Sequence, residues 1–491
     1  MQGIAYWIEK RATIHPECIA IITDEKQMTY KELHEQINKT ATFMKYELGL
    51  KAGERVAILS QNRYEYVVLL FAIAKLGCIA VPLNIRLTVD ELSFQLNDSG
   101  TKVLFIEESF QQIAALLEEE LQLAETISME ELNHLQSIED SFEPIDESAS
   151  YLICYTSGTT GKPKGAVLTQ GNMFWNAINN TAALNLSSDD CTIVLLPFFH
   201  IGGIGLFAFP TLFMGGTIVI PGKFEPERAL AMMEEHQVTI VMGVPAIHAA
   251  LLYSPSFESR KLSSVRWFYN GGAPCPHELI EAYFEKGFLF GQGFGMSETS
   301  PTIFMLARED AKRKMGSIGK PVVFCDYELV DAEGNTVKQG DIGEIVVRGP
   351  NVMKEYWNRP EVTKETIRNG WLHTGDLARV DEEGFVYIVG RKKDMIISGG
   401  ENIYPLEVEQ VLNKIAGISE AAVVGRADEK WGEVPIAFIV KEEGSPLSEA
   451  EIMEHCRRYL AKYKIPKDIV FMQELPRNAT GKVQKNLLAL N

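Results

Sequence analysis

The sequence predicts an α/β protein: a large N-terminal domain of parallel-type sheets with helices, a small β-barrel subdomain, and a small α+β C-terminal domain. Three observations predict it. Apolar strand-like runs alternate with helical patterns through the first two-thirds of the 491 residues. From about residue 321 to 390, short β-rich runs are separated by the turn sequences DAEGN, KQGDIG and DEEG. After Arg391 the α/β alternation returns.

The elements follow in order. Strands are expected at Arg55–Leu59, Lys102–Ile106, Thr192–Leu196, Thr217–Ile220 and Val238–Met242, with amphipathic helices at Tyr64–Leu76 and Pro226–His236 between them. Glu118–Ser150 is acidic and weakly patterned, and is expected to be surface helix and loop. Asn172 reads as an N-cap for a helix starting at Met173. Ile201–Ile220 is the most apolar stretch, and its glycines and Pro210 favour a buried pocket wall. The β-rich runs are Tyr327–Val330, Glu344–Arg348 and Phe385–Val389. Strands near Ala421–Val424 and Ile436–Val440 follow, with helices near Pro405–Asn413 and Glu449–Tyr459. A boundary near Lys392–Lys393 gives domains at 1–392, with the β-rich subdomain at about 321–390, and at 393–491.

Composition narrows the function classes. A net charge of −19 argues against a general nucleic-acid binder. Seven scattered cysteines without metal-ligand spacing fit free thiols in a reducing compartment. No stretch approaches the ~20 apolar residues of a membrane span, and the first residues have no signal-peptide run. A cytoplasmic protein is expected, with no nucleic-acid partner and no transmembrane segment. A homodimer is left open.

The chemistry is written most plainly in residues 155–165, Tyr-Thr-Ser-Gly-Thr-Thr-Gly-Lys-Pro-Lys-Gly. Glycines let backbone N–H groups approach a ligand, and successive N–H groups form an anion nest. Hydroxyls add donors, and Lys162 and Lys164 add positive charge. Such a loop wraps a polyphosphate. It is not a Walker A sequence, because Pro163 follows Lys162 where that pattern needs Ser or Thr.

Further motifs follow: PFFHIGG (197–203), NGGAPC (270–275), GFGMSET (293–299), TGD (374–376), GRKKDMIISGGENIYP (390–405) and PRNATGK (476–482). Together, and in this order, they resemble the adenylate-forming enzymes, the superfamily of acyl-CoA synthetases, peptide-synthetase adenylation domains and beetle luciferases. The resemblance covers most of the chain.

It implies a set of roles. Thr156, Ser157, Gly158, Thr159, Thr160, Lys162 and Lys164 would grip the phosphates of ATP. Gly272, Ala273, Pro274, Gly293, Phe294 and Gly295 would lie along the adenine, with Ser297 on a phosphate and Ile388 also at the nucleotide. Ser297 stands where Thr is more usual, and Phe294 where Tyr is, so a phenolic hydrogen bond is lost there. Glu298, with Thr156, would hold Mg2+ on ATP, since hard cations prefer oxygen donors. Asp376 would accept from the ribose hydroxyls, with Arg391 adding a donor or fastening the two lobes. His200 would gate the carboxylate pocket without transferring protons. Ile201, Gly202, Val244, Asn270, Gly271 and Met296 would line it, along with Gly203, Gly293 and Gly295.

Lys482 is the sharpest implication: its ammonium would bind the substrate carboxylate and the α-phosphate. Lys393 occupies the family's hinge, which implies a mobile C-terminal lid. After rotation, Gly399 and Gly400 would flank a pantetheine tunnel.

The implied reaction has two steps and needs ATP, Mg2+ and coenzyme A. A carboxylate, fatty or aryl, attacks the α-phosphate and expels pyrophosphate. The CoA thiol then attacks the acyl adenylate, giving the thioester and AMP. Two alternatives remain. One is a ligase for o-succinylbenzoate in menaquinone synthesis, although PFFHIGGIG offers no cation for a second carboxylate. The other is a stand-alone adenylation enzyme charging a separate carrier protein. The chain ends nine residues after Lys482, so no attached carrier domain is expected. No Asp at the pocket motifs would pair with an amino acid's ammonium.

Overall fold

The computed structural model describes residues 3–121, 125–136, 141–156, 163–477 and 483–488. The chain divides into two compact units, Met1–Tyr327 with Val347–Leu372, and Glu328–Val346 with His373–Asn491.

The first unit carries two large sheets. The nine-stranded sheet runs in the order Lys320–Pro321, Thr302–Met305, Phe290–Gly295, Trp267–Asn270, Ile240–Gly243, Cys191–Val194, Thr217–Ile220, Ile19–Thr23 and Gln27–Thr29. Its six middle strands, from Phe290–Gly295 to Ile19–Thr23, are parallel, and antiparallel strands close both edges. The seven-stranded sheet runs Glu355–Tyr356, Lys164–Thr169, Ser150–Thr156, Ile79–Pro82, Arg55–Leu59, Val103–Ile106 and Glu125–Ser128. It is parallel from Ser150–Thr156 onward. Apart from the edge strand Glu125–Ser128, the parallel strands are short, largely apolar runs, as strands buried on both faces must be. Ile193, Val219, Val241 and Phe268 pack against Leu230, Met233 and Tyr283 over the larger sheet.

Three local expectations are corrected. The helix after the glycine-rich loop starts at Gln170, and its N-cap is Thr169. Asn172 is the third helical residue; its side chain accepts from the Thr169 N–H while Thr169 accepts from the Asn172 N–H. The reciprocal pair satisfies two backbone donors, so the helix begins three residues early. The helix Tyr64–Leu76 is not amphipathic: every residue from Glu65 to Ala74 is buried. Glu65 is accommodated by two hydrogen bonds from Arg63 and one from Asn133. Within the acidic stretch, Glu125–Ser128 forms an edge strand, followed by a 3-10 turn that buries Met129 and Leu132.

His248, on the helix Pro245–Leu252, is fully buried. Its Nε2 donates to the Tyr269 carbonyl at 3.0 Å, and its ring packs on Phe290. Burial pushes its pKa down to about 4. A histidine held neutral when folded favours the folded state fully above its ordinary 6.5 and loses that advantage as pH falls toward 4. The expected loss is about 3 kcal/mol across that window. Denaturant unfolding at pH 7.5 and 4 measures it, and His248→Gln is expected to flatten the dependence by a similar amount.

In the second unit, the β-rich region is a sheet in which Trp371–Val380 pairs antiparallel with Val386–Arg391. The C-terminal sheet is ordered Glu401–Ile403, Ile396–Ser398, Gly432–Lys441, Ile418–Asp428, with Asp468–Met472 parallel to Gly432–Lys441. Alternation along the central strand builds two cores. Ala437 and Ile439 face Val408, Leu412, Ile452 and Cys456 from the helices Pro405–Leu412 and Glu449–Tyr459. Ile436 and Phe438 face Leu475 and Leu488 on the other side.

Candidate functional site

In the first unit the motifs converge because adjacent parallel strands end together. Gly243 is in register with Asn270, and Asn270 with Gln292. The chain beyond each strand therefore emerges at one carboxyl edge, where open α/β sheets bind ligands. Val244, the segment Gly271–Cys275 and the segment Gly293–Glu298 all leave from this edge. The loop holding His200 leaves the neighbouring strand Cys191–Val194.

The Asn270 side chain shapes the first turn. It is buried, and its Nδ2 donates to the Ala273 carbonyl at 3.0 Å. Gly272, Ala273 and Pro274 are left exposed as a polar backbone strip. His200 is half-buried beside Phe199, with ring centroids 4.9 Å apart. Gly203 then opens a π-helical turn, Gly203–Ala208. Its carbonyls call for outside donors, because Pro210, five residues after Gly205, has no N–H. Asn176 and Asn180 supply them, donating to Gly205 O at 2.7 and 2.9 Å and, from Asn180, to Leu206 O at 2.9 Å. These two asparagines were not legible as site supports.

Two of the predicted pocket glycines, Gly202 and Gly271, face apolar side chains, whereas Gly203 and Gly295 face backbone. A Cβ on Gly202 would touch Leu206 and Leu196, and one on Gly271 would lie 2.7 Å from the Met242 methyl. Leu196, Gly202, Gly203, Phe207 and Met242 also line one small cavity of about 10 Å³. The walls are mostly apolar, Thr192 being the one hydroxyl-bearing lining residue, and Ile201 beside them is buried.

The strand Phe290–Gly295 carries Phe294, whose ring lies 6.3 Å from Phe304. It leads into a 3-10 turn, Ser297–Thr299. The Met296 N–H donates to Pro301 O at 2.9 Å and closes that turn. Ser297 is half-buried, and Glu298 is buried. The Tyr356 hydroxyl donates to Glu298 Oε1 at 2.7 Å, and the Met353 N–H to the Glu298 carbonyl at 2.8 Å.

The glycine-rich loop joins the antiparallel strands Ser150–Thr156 and Lys164–Thr169. Thr156 pairs with Lys164 at its mouth, and the Thr156 hydroxyl donates to Lys164 O at 3.3 Å. Ser157, Gly158, Thr159, Thr160 and Lys162 lie outside the described residues.

The second unit holds the other predicted residues. Asp376 is buried, opposite Arg391 on paired strands, and Arg391 Nε donates to its Oδ1 at 2.7 Å. This ion pair lies within one sheet, so it fastens neighbouring strands. Ile388 is half-buried on the same strand as Arg391. Glu344, not singled out from sequence, accepts from the Gly375 N–H at 3.1 Å and from Lys392 Nζ at 2.8 Å. Burial opposes its ionisation, but Lys392 and His373 outweigh that and hold its carboxyl below the usual range. Lys393 is exposed in the 3-10 turn Lys392–Asp394. Gly399 and Gly400 form the exposed two-residue turn between Ile396–Ser398 and Glu401–Ile403, with φ of 60° and 88°. Both angles are left-handed, which gives the pair a local reason. Lys482 lies outside the described residues.

Among the described residues no cluster of three His, Cys, Asp or Glu side chains is arranged to hold a metal. Glu298 and the Thr156 hydroxyl nonetheless fit Mg2+ that arrives on a polyphosphate, because that ion commonly takes one or two carboxylates, with phosphates and water completing its shell. No helix of the described residues is long and apolar enough to cross a membrane.

Comparison with known proteins gives consistent results. A sequence model of the family described as AMP-binding enzyme matches residues 8–357, and one for the AMP-binding enzyme C-terminal domain matches residues 407–482. A feruloyl-CoA synthase of Amycolatopsis is 41% identical over 489 residues, covering 99% of this chain and 98% of that protein. A 2-succinylbenzoate–CoA ligase of Bacillus cereus is 39% identical over 488 residues, covering 99% and 98%. The o-succinylbenzoate CoA synthetase of Bacillus subtilis, solved with its acyl-adenylate intermediate, superposes with a TM-score of 0.91 at 38% identity, covering 99% and 98%. The same enzyme solved with ATP and magnesium gives 0.90, covering 98% of each chain.

Proposed function

The chain belongs to the AMP-binding enzyme family, and on that premise we propose that the acid it activates is monocarboxylic, with a neutral aryl or alkyl body. The protein is an AMP-forming acid–thiol ligase that uses ATP, Mg2+ and coenzyme A. The observation that carries the substrate reading is the apolar wall of Leu196, Leu206 and Met242 around Gly202 and Gly271. A second carboxylate buried there would need a cation or several donors.

In this reading the residues mostly position and stabilise charge. The loop from Thr156 to Lys164 cradles the phosphates, and the strip Gly272–Pro274 and Phe294 flank the adenine. Asp376 accepts from the ribose, held in place by Arg391. His200 stands at the pocket mouth and keeps water from the reacting carboxylate. Lys482 binds that carboxylate and the α-phosphate. Mg2+, when bound through Glu298, neutralises phosphate charge. The boundary near 392–393, the hinge at Lys393, and Gly399 and Gly400 beside the CoA path belong to the same proposal. So does a cytoplasmic setting, supported by seven cysteines that are all free. Light scattering reads whether the protein is a homodimer.

A panel of acids assayed by pyrophosphate release, with and without CoA, tests the substrate. Ferulate-like and medium-chain acids are expected to exceed o-succinylbenzoate in kcat/KM by at least about tenfold, the cost of roughly one unmatched buried polar group. Preference for o-succinylbenzoate would overturn the substrate assignment. Thioester formation only on an added carrier protein would overturn CoA as the acceptor.

A further inference from the structure

We propose that Tyr356 is a positioning residue for the Glu298 carboxylate: its phenol fixes one oxygen and leaves the other to face the metal on ATP. This rests on the reading of Glu298 as the metal-holding carboxylate. Four observations carry it.

First, the contact is direct and buried. The Tyr356 hydroxyl donates to Glu298 Oε1 at 2.7 Å, and the two residues are 7% and 5% exposed. They are 58 residues apart in sequence. Second, the donor is neutral. An ionised carboxylate has two oxygens and about four lone-pair sites, and a phenol occupies one of them. Lys or Arg in this place would cancel the charge a cation needs. Tyr orients the group and preserves that charge.

Third, Tyr356 sits on backbone that cannot shift independently. Glu355 and Tyr356 pair with Val167 and Ala166 on the strand that leaves the glycine-rich loop. The Lys354 N–H donates to Val167 O and the Trp357 N–H to Gly165 O. The segment before it clasps the turn that bears Glu298. Met353 N donates to Glu298 O at 2.8 Å, Asn351 Nδ2 to Thr299 O at 3.0 Å, and Ser300 Oγ to Asn351 O at 2.8 Å. Fourth, Lys164 Nζ lies 5.6 Å from the centre of the Tyr356 ring. A cation over a phenol face attracts ring electron density and strengthens the O–H as a donor. Lys164 is the first residue after the loop in this strand. The order Lys164, Tyr356, Glu298 thus ties the base of the phosphate loop to the metal-holding carboxylate.

The test compares wild type, Tyr356→Phe and Glu298→Gln. Binding of a non-hydrolysable ATP analogue is titrated by calorimetry in EDTA and over a Mg2+ series. Thermal unfolding is recorded without nucleotide, and kcat and KM for pyrophosphate release are measured against Mg2+. Outer partners of metal ligands typically contribute 10–100-fold to metal affinity. Tyr356→Phe is expected to raise half-saturating Mg2+ by roughly tenfold. Analogue affinity in EDTA should stay unchanged, and kcat should recover to within about threefold at high Mg2+, as a lost orienting group predicts. Glu298→Gln should shift the Mg2+ dependence further, without recovery. If Glu298→Gln shifts it and Tyr356→Phe does not, Tyr356 has no positioning role. If neither variant shifts it, the reading of Glu298 itself is wrong. A Tyr356→Phe protein with a lowered unfolding temperature and reduced kcat at every Mg2+ concentration would show a structural role instead, and would also overturn the proposal.

Discussion

Lys482→Ala is expected to lower pyrophosphate release by roughly 10²–10³-fold, the range seen when one preorganised donor to developing charge is removed. The barrier to adenylation is the build-up of negative charge between the carboxylate, the α-phosphate and the departing pyrophosphate. An ammonium already aimed there needs no reorganisation as the charge moves, so its loss falls mainly on kcat. The fold is expected to survive. Arg477 and Val483 pair antiparallel on either side of the segment that contains Lys482, and the Gln484 N–H donates to Pro476 O at 2.8 Å. Leu475 and Leu488 anchor both flanks in the C-terminal core. Separate half-reactions check the assignment. Adenylation should collapse, while thioester formation from supplied acyl adenylate and CoA should change by less than about threefold, as expected for a group used in one step only. An unchanged adenylation rate would remove Lys482 from the mechanism.

That prediction comes from sequence, and its strength reflects what sequence displays well. Hydroxyls, glycines and charges crowded into 155–165 or 293–299 have a meaning that survives without coordinates. Thr217–Ile220 and Glu449–Tyr459 are legible with the bounds the structure has: the first is an apolar run between Gly-Gly and Pro-Gly, and the second carries a helical period. The edge strand Glu125–Ser128 was not, being four residues long in an acidic context. The cap at Thr169 was obscured because Asn172, the reciprocal partner, is itself a good N-cap residue. The buried helix Tyr64–Leu76 looked amphipathic because Glu65 and Tyr64 are polar in isolation; the partners that let Glu65 be buried include Asn133, far along the chain. Tyr356 is the clearest case in the site. Nothing in KEYWN marks it, and its importance lies in a contact formed only when the strand Glu355–Tyr356 docks beside Lys164–Thr169. Motifs announce residues that touch ligands; residues that hold those residues are dispersed, and only the fold assembles them.

Gly295→Ala is expected to destabilise the first unit by at least about 4 kcal/mol, or to prevent folding, which is the range reserved for severe steric or network damage. A Cβ at Gly295 would lie 1.7 Å from Pro301 O, 2.7 Å from Pro301 C and 3.1 Å from Thr302 Cα. All three are backbone atoms, so no side-chain rotation relieves the overlap. Relief requires parting Phe290–Gly295 from Thr302–Met305, where Gly295 is in register with Thr302. It also breaks the bond from Met296 N to Pro301 O that closes the turn before Glu298. Gly272 supplies the contrast. It too lies in a ligand-type motif, but with φ of 84° and its nearest foreign atom, Val244 Cγ1, at 3.8 Å. Gly272→Ala should therefore cost only left-handed backbone strain, about 1–2 kcal/mol. Denaturant unfolding of both variants separates the two origins. Equal, small losses would mean that the strand pair yields easily, and the turn bearing Glu298 would then lack the rigid seat that a preorganised carboxylate requires.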